Sequence, residues 1–295
     1  MLPSGALSPF SLQSFLGNIY HPIVQPKSNN DMNIQLNSLK KIFGDKTAVD
    51  IPQFAIHHGD ILGLVGNNGS GKTTLFRLIL DLLKANAGTV VMTPAPGSAL
   101  SPTQQDDNPT TQDMQAVMPI AINPAESEEW KQVTGAYIDE GFLIDFLTPE
   151  EYLDFIAKVN GMQPIDWEHI DESPIAKFLP FANGEIFNQK KLIRDFSAGN
   201  KQKVGIISAL FTRPELVILD EPFNFLDPSG QNNLKKLLVA YHEETQATII
   251  VSSHNLQHTV DISTRIALLE HGHIINDIAN VNGSAEKALE EYFQV

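Results

Sequence analysis

A glycine-rich stretch between an apolar run and an amphipathic segment most constrains what this 295-residue chain can fold into. Residues 66–74 read Gly-Asn-Asn-Gly-Ser-Gly-Lys-Thr-Thr and fit the pattern G-x-x-x-x-G-K-[ST]. The apolar run 61–65 is typical of a buried strand. Apolar residues at helical spacing follow as far as Leu83, with Gly88 as the expected stop. Strand, loop and helix in this order bring backbone N–H groups and the positive end of a helix dipole together, which predicts a phosphate-binding loop.

The residues of this loop have separate predicted roles. The glycines allow the backbone to approach phosphates closely, Lys72 can reach the outer phosphates, and the Thr73 hydroxyl can coordinate magnesium. The alternative interpretation is a glycine-rich turn that precedes a helix by chance, and the flanking strand and helix disfavour it. The residues expected to bind a nucleotide here are Gly66, Asn67, Asn68, Gly69, Ser70, Gly71, Lys72, Thr73 and Thr74.

Composition excludes several classes of protein. The sequence has no cysteine, which excludes disulfides, thiolate metal sites and thiol catalysis. Neither a membrane-spanning helix nor a secretory signal is expected, because no long apolar run and no basic N-terminal region followed by an apolar core is present. The formal net charge of -15 disfavours nucleic acid as a partner, since phosphate backbones select basic surfaces. We interpret this charge as a solubility feature.

The N-terminal third predicts an extension followed by strands. Residues 1–30 show no clear periodicity and are interpreted as an N-terminal extension, so that one domain occupies residues 31–295. Alternating apolar residues predict a strand from Asn33 towards Phe43 and a second strand around Ala48 to Ile56. These strands are expected to form an antiparallel β region.

Two segments inside the domain differ from the rest. Pro, Ser, Gln and Asp concentrate in residues 94–130, which predicts a flexible surface insertion. Residues 148–198 are expected to form a helical arm. It begins at residues 148–151, Thr-Pro-Glu-Glu, which combine a capping box with proline at the first helical position. The first helix of this arm is expected to stop at Asn160-Gly161.

The final third alternates strand-like and helical segments. The strand-like runs are residues 216–219, 248–252 and 266–269. Such alternation indicates a largely parallel sheet covered by helices, and therefore an α/β fold.

The strand 216–219 ends in two carboxylates, Asp220 and Glu221. Ligands of open α/β sheets bind at the carboxyl ends of strands, so both acids are expected beside the phosphate loop. Asp220 can hold a magnesium ion, and Glu221 can orient or deprotonate an attacking water. Upstream, Ser197 and Gly199 open a predicted helix, which makes a second anion-binding end. The combination predicts a nucleotide-hydrolysing site.

These motifs, in this order, resemble the ATP-binding cassette (ABC) family, the nucleotide-binding subunits of ABC transporters. The resemblance extends from about Asn33 to the C-terminus, outside the insertion. The run Tyr137-Ile138-Asp139-Glu140 resembles the Q-loop, and Phe196 to Asn200 resembles the signature motif. Phe225-Leu226-Asp227 resembles the D-loop, and His254 resembles the switch histidine. Phe43 occupies the place of an aromatic residue that stacks on adenine.

The resemblance implies a fold, an activity and partners. The fold would be α/β, with a P-loop NTPase (RecA-like) core, an antiparallel β subdomain and a helical subdomain. The activity would be ATP hydrolysis with Mg²⁺, coupled to transport. The partners would be a second cassette, as homodimer or heterodimer and paired head to tail, and a separate membrane permease, with no nucleic acid. The chain would lie in the cytoplasm on the inner face of the membrane, and export is the expected direction.

The resemblance also assigns roles residue by residue. Glu221, His254 and Lys72 would be catalytic, and Thr73, Asp220 and Glu140 would serve the metal. Ser197 and Gly199 would contact the γ-phosphate bound by the partner cassette, and Phe43 would contact adenine.

The sequence departs from the family pattern in two places. The signature commonly reads Leu-Ser-Gly-Gly-Gln, whereas Phe196, Ala198 and Asn200 differ here. Since Ser197 and Gly199 remain, anion binding is expected to survive with weaker closure. Glu140 replaces the commoner Gln and resembles ATPases of one group of exporters.

Several residues have alternative interpretations. His254 could be an ordinary histidine at a strand end, Phe43 could pack under the sheet, and Glu140 could be a solvated loop acid. Two alternative functions also stay open. One is a soluble cassette that acts on a ribosome or chromosome, and the other is a weakly hydrolytic regulatory subunit of a heterodimer.

Overall fold

A computed structural model gives the fold of residues 33–94, 121–281, 283–286 and 289. The predicted N-terminal extension, residues 1–30, lies outside the described residues. Of the predicted insertion, residues 94–130, the structure describes the two ends.

The N-terminal strands form a three-stranded antiparallel sheet in the order β2-β1-β4. Its strands are β1 (Asn33–Phe43), β2 (Lys46–Ile56) and β4 (Ala87–Thr93). β1 pairs with both neighbours, and the apolar side chains of its inner face are buried because residues of one face alternate along a strand. The antiparallel β region is therefore present as the sequence predicts.

The second sheet has six strands in the order β5-β6-β7-β3-β8-β9. They are β3 (Ile61–Val65), β5 (Thr134–Tyr137), β6 (Leu216–Leu219), β7 (Thr248–Ser253), β8 (Arg265–Glu270) and β9 (His273–Ala279). All neighbouring pairs are parallel except β8 and β9. Every residue of β3, β6 and β7 is buried, as expected of strands covered on both faces.

Six α-helices lie within residues 72–260 of the described part of the chain. They are α1 (Lys72–Ile79), α2 (Pro149–Val159), α3 (Leu179–Ala182), α4 (Ala198–Leu210), α5 (Pro228–Thr245) and α6 (Leu256–Val260). Short 3₁₀ helices occupy Glu129–Val133, Glu140–Phe142, Ile170–Glu172, Ala176–Phe178 and Ile193–Asp195. No helix within the described residues combines the length and apolar character that crossing a bilayer requires.

The first helix of the predicted arm begins and ends where the sequence places it. The Thr148 hydroxyl accepts a hydrogen bond from the Glu151 N–H at 3.2 Å, and the Glu151 carboxylate accepts one from the Thr148 N–H at 2.9 Å. This reciprocal capping box satisfies two N–H groups that the first turn leaves free. The helix ends at Val159, directly before Asn160.

Helix α1 is shorter than predicted. It ends at Ile79, and Leu82 lies beyond it with half of its surface exposed. Gly88 does not stop a helix but lies at the start of β4 with a φ of 81°. A Cβ there would lie 2.2 Å from the Ser38 carbonyl oxygen, so the pairing of β4 with β1 requires glycine.

The end of the range 94–130 lies against the first sheet. Ile122 exchanges two backbone hydrogen bonds with Met92 of β4, each 2.7 Å long. Ile122 and Trp130 are both buried. Within the described residues, this stretch is therefore part of the packed domain.

Candidate active site

Four neighbouring strands end at the same edge of the six-stranded sheet, and each is followed by a predicted motif. The neighbours β5, β6, β7 and β3 are parallel, so their carboxyl ends lie side by side. They lead respectively into the segment after Tyr137, into the carboxylates after Leu219, into His254 and into the phosphate loop. The sheet thus gathers motifs that are far apart in the sequence, as expected for an α/β sheet.

The phosphate loop depends on glycines that leave room for the backbone. Gly69 and Gly71 have φ values of 81° and 114°, a region that favours glycine. A Cβ on Gly66 would lie 2.3 Å from the Leu269 carbonyl oxygen, so this position admits no side chain. A cavity of about 260 Å³ runs along the loop and is also lined by Lys46 and by residues 268–271.

Lys72 is the buried cation at the start of α1. Only 6% of it is exposed, and its Nζ donates a hydrogen bond of 2.6 Å to the Gly66 carbonyl oxygen. Nζ also lies 3.2 Å from Oε1 of Glu221. A positive charge is therefore held inside the phosphate loop, within reach of the carboxylates that follow β6.

Asp220 is held by two hydroxyls. The Thr73 hydroxyl donates to Oδ2, and the Ser252 hydroxyl donates to Oδ1 at 2.5 Å. Burial raises the pKa of the Asp220 carboxyl above its usual range, and the two hydroxyls oppose this shift because they stabilise the charged form. A buried carboxylate next to a threonine hydroxyl is a set of hard oxygen donors.

Glu221 lies between two nitrogen atoms. Its Oε2 is 2.8 Å from Nδ1 of His254, and its Oε1 is 3.2 Å from Nζ of Lys72. Oε1 is buried and makes an ion pair with Lys72 but no hydrogen bond to the described residues, so it keeps acceptor capacity for a water. A cavity of about 340 Å³, also lined by Thr73 and Asp220, opens beside this carboxylate.

The signature segment forms a separate helix end. Ser197 caps α4, and its hydroxyl accepts a hydrogen bond of 3.3 Å from the Asn200 N–H. Gly199 lies against the loop after β6, since a Cβ there would be 2.5 Å from the Phe225 carbonyl oxygen. Among the described residues, neither Ser197 nor Gly199 lines the cavity along the phosphate loop. The structure therefore contains two helix ends suited to anions rather than one.

Two predicted site residues lie outside this group. Phe43, at the end of β1, is half exposed, and Nζ of Lys41 lies 5.1 Å from its ring centre. The backbone of Glu140 begins a 3₁₀ helix, and its side chain lies outside the described part of the chain. The preceding Asp139 carboxylate pairs with Arg77 of α1 at 3.0 Å. The roles of Phe43 and Glu140 stay predictions.

Sequence reasoning missed two residues that hold the carboxylates. Ser252 donates to Asp220 and also accepts the Glu221 N–H at 2.8 Å. The Gln202 side-chain amide on α4 donates to the carbonyl oxygens of Pro222 and Glu221, the latter at 3.4 Å. A polar residue at the end of an apolar strand was the available signal for Ser252. Gln202 gave none, because its partners lie on another element.

Comparison with known proteins agrees with this geometry. A family model described as ABC transporter matches residues 49–224. The chain is 30% identical over 245 residues to the bacitracin transport ATP-binding protein BcrA of Enterococcus faecalis, covering 83% of this chain and 68% of that protein. It is 27% identical to the methionine import ATP-binding protein MetN of Lactococcus lactis, over 88% of this chain and 69% of that protein.

Solved structures show the same fold. An ATP-binding subunit of an ABC transporter superposes with a TM-score of 0.67 at 21% identity, over 88% of this chain and 98% of that one. A dimeric ATP-binding cassette with bound ADP and Pi gives a TM-score of 0.64 at 21% identity, over 84% of this chain and 99% of that one.

The chain therefore belongs to the ABC transporter family. It is an ATP-binding subunit with the ATPase fold of that family, as the sequence motifs predict. One similar protein is named for bacitracin transport and another for methionine import, so family membership leaves the direction of transport open.

Proposed function

We propose that this chain hydrolyses ATP at the sheet edge described above, as one half of a head-to-tail pair of cassettes coupled to a separate membrane permease. The position of Glu221 carries the proposal. Its carboxylate lies between Lys72 at 3.2 Å and His254 at 2.8 Å, beside a cavity with room for a water. A carboxylate in this position is suited to activate water next to a phosphate-binding loop.

The phosphate loop would bind the triphosphate. Backbone N–H groups of residues 66–71 and the first turn of α1 provide donors, and Lys72 provides a fixed positive charge. The Ser70 hydroxyl is buried and has no hydrogen-bond partner among the described residues, so it is available to a phosphate oxygen. Phe43 would contact adenine, because its half-exposed ring can stack on a base.

The residues present fit a magnesium ion. The Thr73 hydroxyl and the Asp220 carboxylate are already adjacent, and oxygen donors of this kind suit Mg²⁺. We assign both to the metal, with Glu140 as a further candidate. When bound, the ion would neutralise charge that develops on the phosphate oxygens.

Hydrolysis would proceed by in-line attack of water on the γ-phosphorus. Glu221 would orient this water and accept its proton, while the bond from phosphorus to the β,γ-bridging oxygen breaks and ADP leaves. Lys72 would stabilise the charge that builds up on the phosphate oxygens. His254 would hold Glu221 through Nδ1 and face the γ-phosphate from the end of β7.

A second cassette would complete the site. The capped end of α4, with Ser197 and Gly199, offers anion binding but lies apart from the phosphate-loop cavity. Head-to-tail pairing would place this end on the γ-phosphate bound by the partner, and the closed site would exclude water. A solved cassette with this fold is described as dimeric.

A permease segment would dock in an apolar groove next to the 3₁₀ helix Glu140–Phe142. The groove has a volume of about 250 Å³, and its Leu82 and Phe142 are half exposed. Exposed apolar surface of this kind marks protein–protein contacts. The apolar residues that line it are Leu80, Leu82, Trp130, Ala136, Ile138 and Phe142.

We assign export as the direction of transport and the cytoplasmic face of the membrane as the location. Glu140, which resembles the residue of one group of exporters, supports the direction. The permease partner supports the location. Transport assays with the permease in vesicles of defined orientation would decide the direction.

The test of the hydrolytic assignment is Glu221→Gln. This variant keeps the size of the side chain but removes the proton acceptor, so kcat should fall by about 10²- to 10⁴-fold, the usual contribution of a general base. ATP binding should persist because Lys72 and the phosphate loop are unchanged. Turnover would be measured as phosphate release, and binding by nucleotide titration.

The matched control is Glu243→Gln, an exposed carboxylate on α5. It removes the same charge and should leave kcat unchanged. Wild-type turnover by Glu221→Gln would overturn the assignment of Glu221 as the base.

A further inference from the structure

The loop that carries the carboxylates, residues 220–227, has two residues in the left-handed region, Glu221 and Phe225. The φ of Glu221 is 47°, in the left-handed region that residues with a Cβ seldom adopt. Such conformations persist only where surrounding contacts hold them. The contacts that hold the Glu221 backbone therefore determine where its carboxylate lies.

Two side chains from different elements hold this backbone from opposite ends of the residue. The Ser252 hydroxyl on β7 accepts the Glu221 N–H at 2.8 Å. On the carbonyl side, Gln202 donates from its amide to the Pro222 oxygen and to the Glu221 oxygen at 3.4 Å. Only 2% of Gln202 is exposed, so these bonds are shielded from bulk water.

Gln202 belongs to the helix whose first turn carries the signature residues. α4 begins at Ala198, and the backbone of Gly199 also touches the carboxylate loop at Phe225. Lys203, the next residue, is 6% exposed at its side chain and pairs with Glu185 at 2.8 Å. α4 is thus tied on one side to the carboxylate loop and on another to the segment after α3.

We propose that Gln202 is a positioning residue that holds Glu221 in its reactive conformation and so links the signature end of α4 to the catalytic carboxylate of the same chain. The inference rests on the proposed role of Glu221 as the base. Gln202 lines the cavity beside Glu221, and its amide nitrogen donates to the Pro222 and Glu221 carbonyl groups, so we assign its effect to the loop backbone. A shift of α4 on contact with a second cassette would therefore reach Glu221.

The experiment compares Gln202→Met with Gln231→Met. Gln231, on α5, makes a hydrogen bond of the same chemistry to the same loop, from its amide to the Phe223 carbonyl oxygen at 3.2 Å. Both variants lose an amide donor to the loop and keep an unbranched side chain. Of these two glutamines, Gln202 bonds to Glu221 and Gln231 bonds to Phe223. We expect Gln202→Met to lower kcat by about 10- to 100-fold, the effect of a misplacement near 1 Å, with KM and ATP affinity unchanged. Gln231→Met should keep kcat.

A double variant separates positioning from a general loss of structure. Phosphate release in a single turnover is measured for Gln202→Met, Glu221→Gln and both together. If Gln202 acts through Glu221, adding Gln202→Met to Glu221→Gln changes the residual rate little, because the group it positions is already lost. Equal slowing in both backgrounds would overturn the inference. If Gln202→Met does not fold, Gln202→Asn gives a second comparison, because it keeps a neutral amide on a side chain that is one methylene shorter.

Different results would refute the role of Glu221 as the base and the positioning role of Gln202. Wild-type turnover in Glu221→Gln would refute the proposed function, whatever Gln202→Met does. Loss of turnover in Glu221→Gln together with wild-type kcat in Gln202→Met would refute the positioning role alone. An equal loss in Gln231→Met would also refute it, because the effect would then belong to the loop as a whole.

Discussion

Replacing Gly199 by alanine tests how closely α4 is packed against the carboxylate loop. Gly199 lies in the first turn of α4, and its φ is outside the left-handed region. By helix propensity alone, alanine would stabilise this position by about 1 kcal/mol. The structure predicts instead that alanine at this position lowers the free energy of unfolding.

The magnitude follows from one contact. A Cβ at Gly199 would lie 2.5 Å from the Phe225 carbonyl oxygen, whereas ordinary contacts begin at 3.4 Å. Because the contact is with backbone, the loop must move by close to 1 Å, and overpacking of this kind costs about 1–3 kcal/mol. After subtraction of the propensity gain, Gly199→Ala should lower the free energy of unfolding by about 0–2 kcal/mol.

The same displacement of the loop should also lower the rate of ATP hydrolysis. Glu221 lies in the loop that Phe225 belongs to, and a shift of about 1 Å at a catalytic group can cost about 100-fold in rate. Urea unfolding without nucleotide measures the stability of the single chain, so it separates this contact from any role of Gly199 towards a partner. Phosphate release measures turnover. A variant that is more stable than the wild type by about 1 kcal/mol and hydrolyses ATP at the wild-type rate would refute the reasoning.

Two further predictions concern residues around the carboxylates. Ser252→Ala removes the hydroxyl that serves both Asp220 and the Glu221 N–H, and should cost about 1–3 kcal/mol in urea unfolding; a loss well below 1 kcal/mol would contradict this contact. His258 packs 4.7 Å from Phe223, and burial lowers the pKa of its imidazole, with the charge of Lys235 as the next cause. The unfolded chain then binds the proton more tightly, so stability is lost as the pH falls below the unfolded pKa of about 6.5. His258→Phe keeps an aromatic ring, so the urea midpoint of this variant should fall less between pH 7 and about 5.5 than that of the wild type. If both midpoints fall equally, groups other than His258 cause the pH dependence.

Local motifs made much of the fold predictable from sequence. The phosphate loop, the strand before Asp220 and the capping box at Thr148 each depend on a few consecutive residues, and the structure places all three as expected. The end of α1 could not be predicted in this way. Apolar spacing continues to Leu83, but β4 pairs with β1 and takes Gly88 into a strand. Tertiary pairing overrides local periodicity there.

The residues of the candidate site also fall into two groups, those that local motifs predict and those that depend on tertiary contacts. Lys72, Thr73, Asp220 and Glu221 follow from motifs, and the sheet order brings them together. Ser252 and Gln202 act by contacts between elements that are distant in sequence. For Ser252 the sequence offers a polar residue at the end of an apolar strand, and for Gln202 it offers no signal. The convergence of Lys72, Thr73, Asp220 and Glu221 was therefore predictable from sequence, while the contacts that hold the carboxylates were not.

Two of the three departures in the signature segment, Phe196 and Asn200, leave its bonds and packing in place. The cap of α4 uses the Ser197 hydroxyl and the backbone N–H of Asn200, so the change of side chain at position 200 leaves this bond intact. Phe196, which replaces the common leucine, is buried and keeps an apolar side chain at that position. Gly199 is retained where the Phe225 carbonyl leaves no space for a Cβ. The departures at Phe196 and Asn200 thus spare both the helix end suited to anions and its contact with the carboxylate loop. An effect of Asn200 on closure of the proposed dimer would therefore have to come from its side chain contacting the partner.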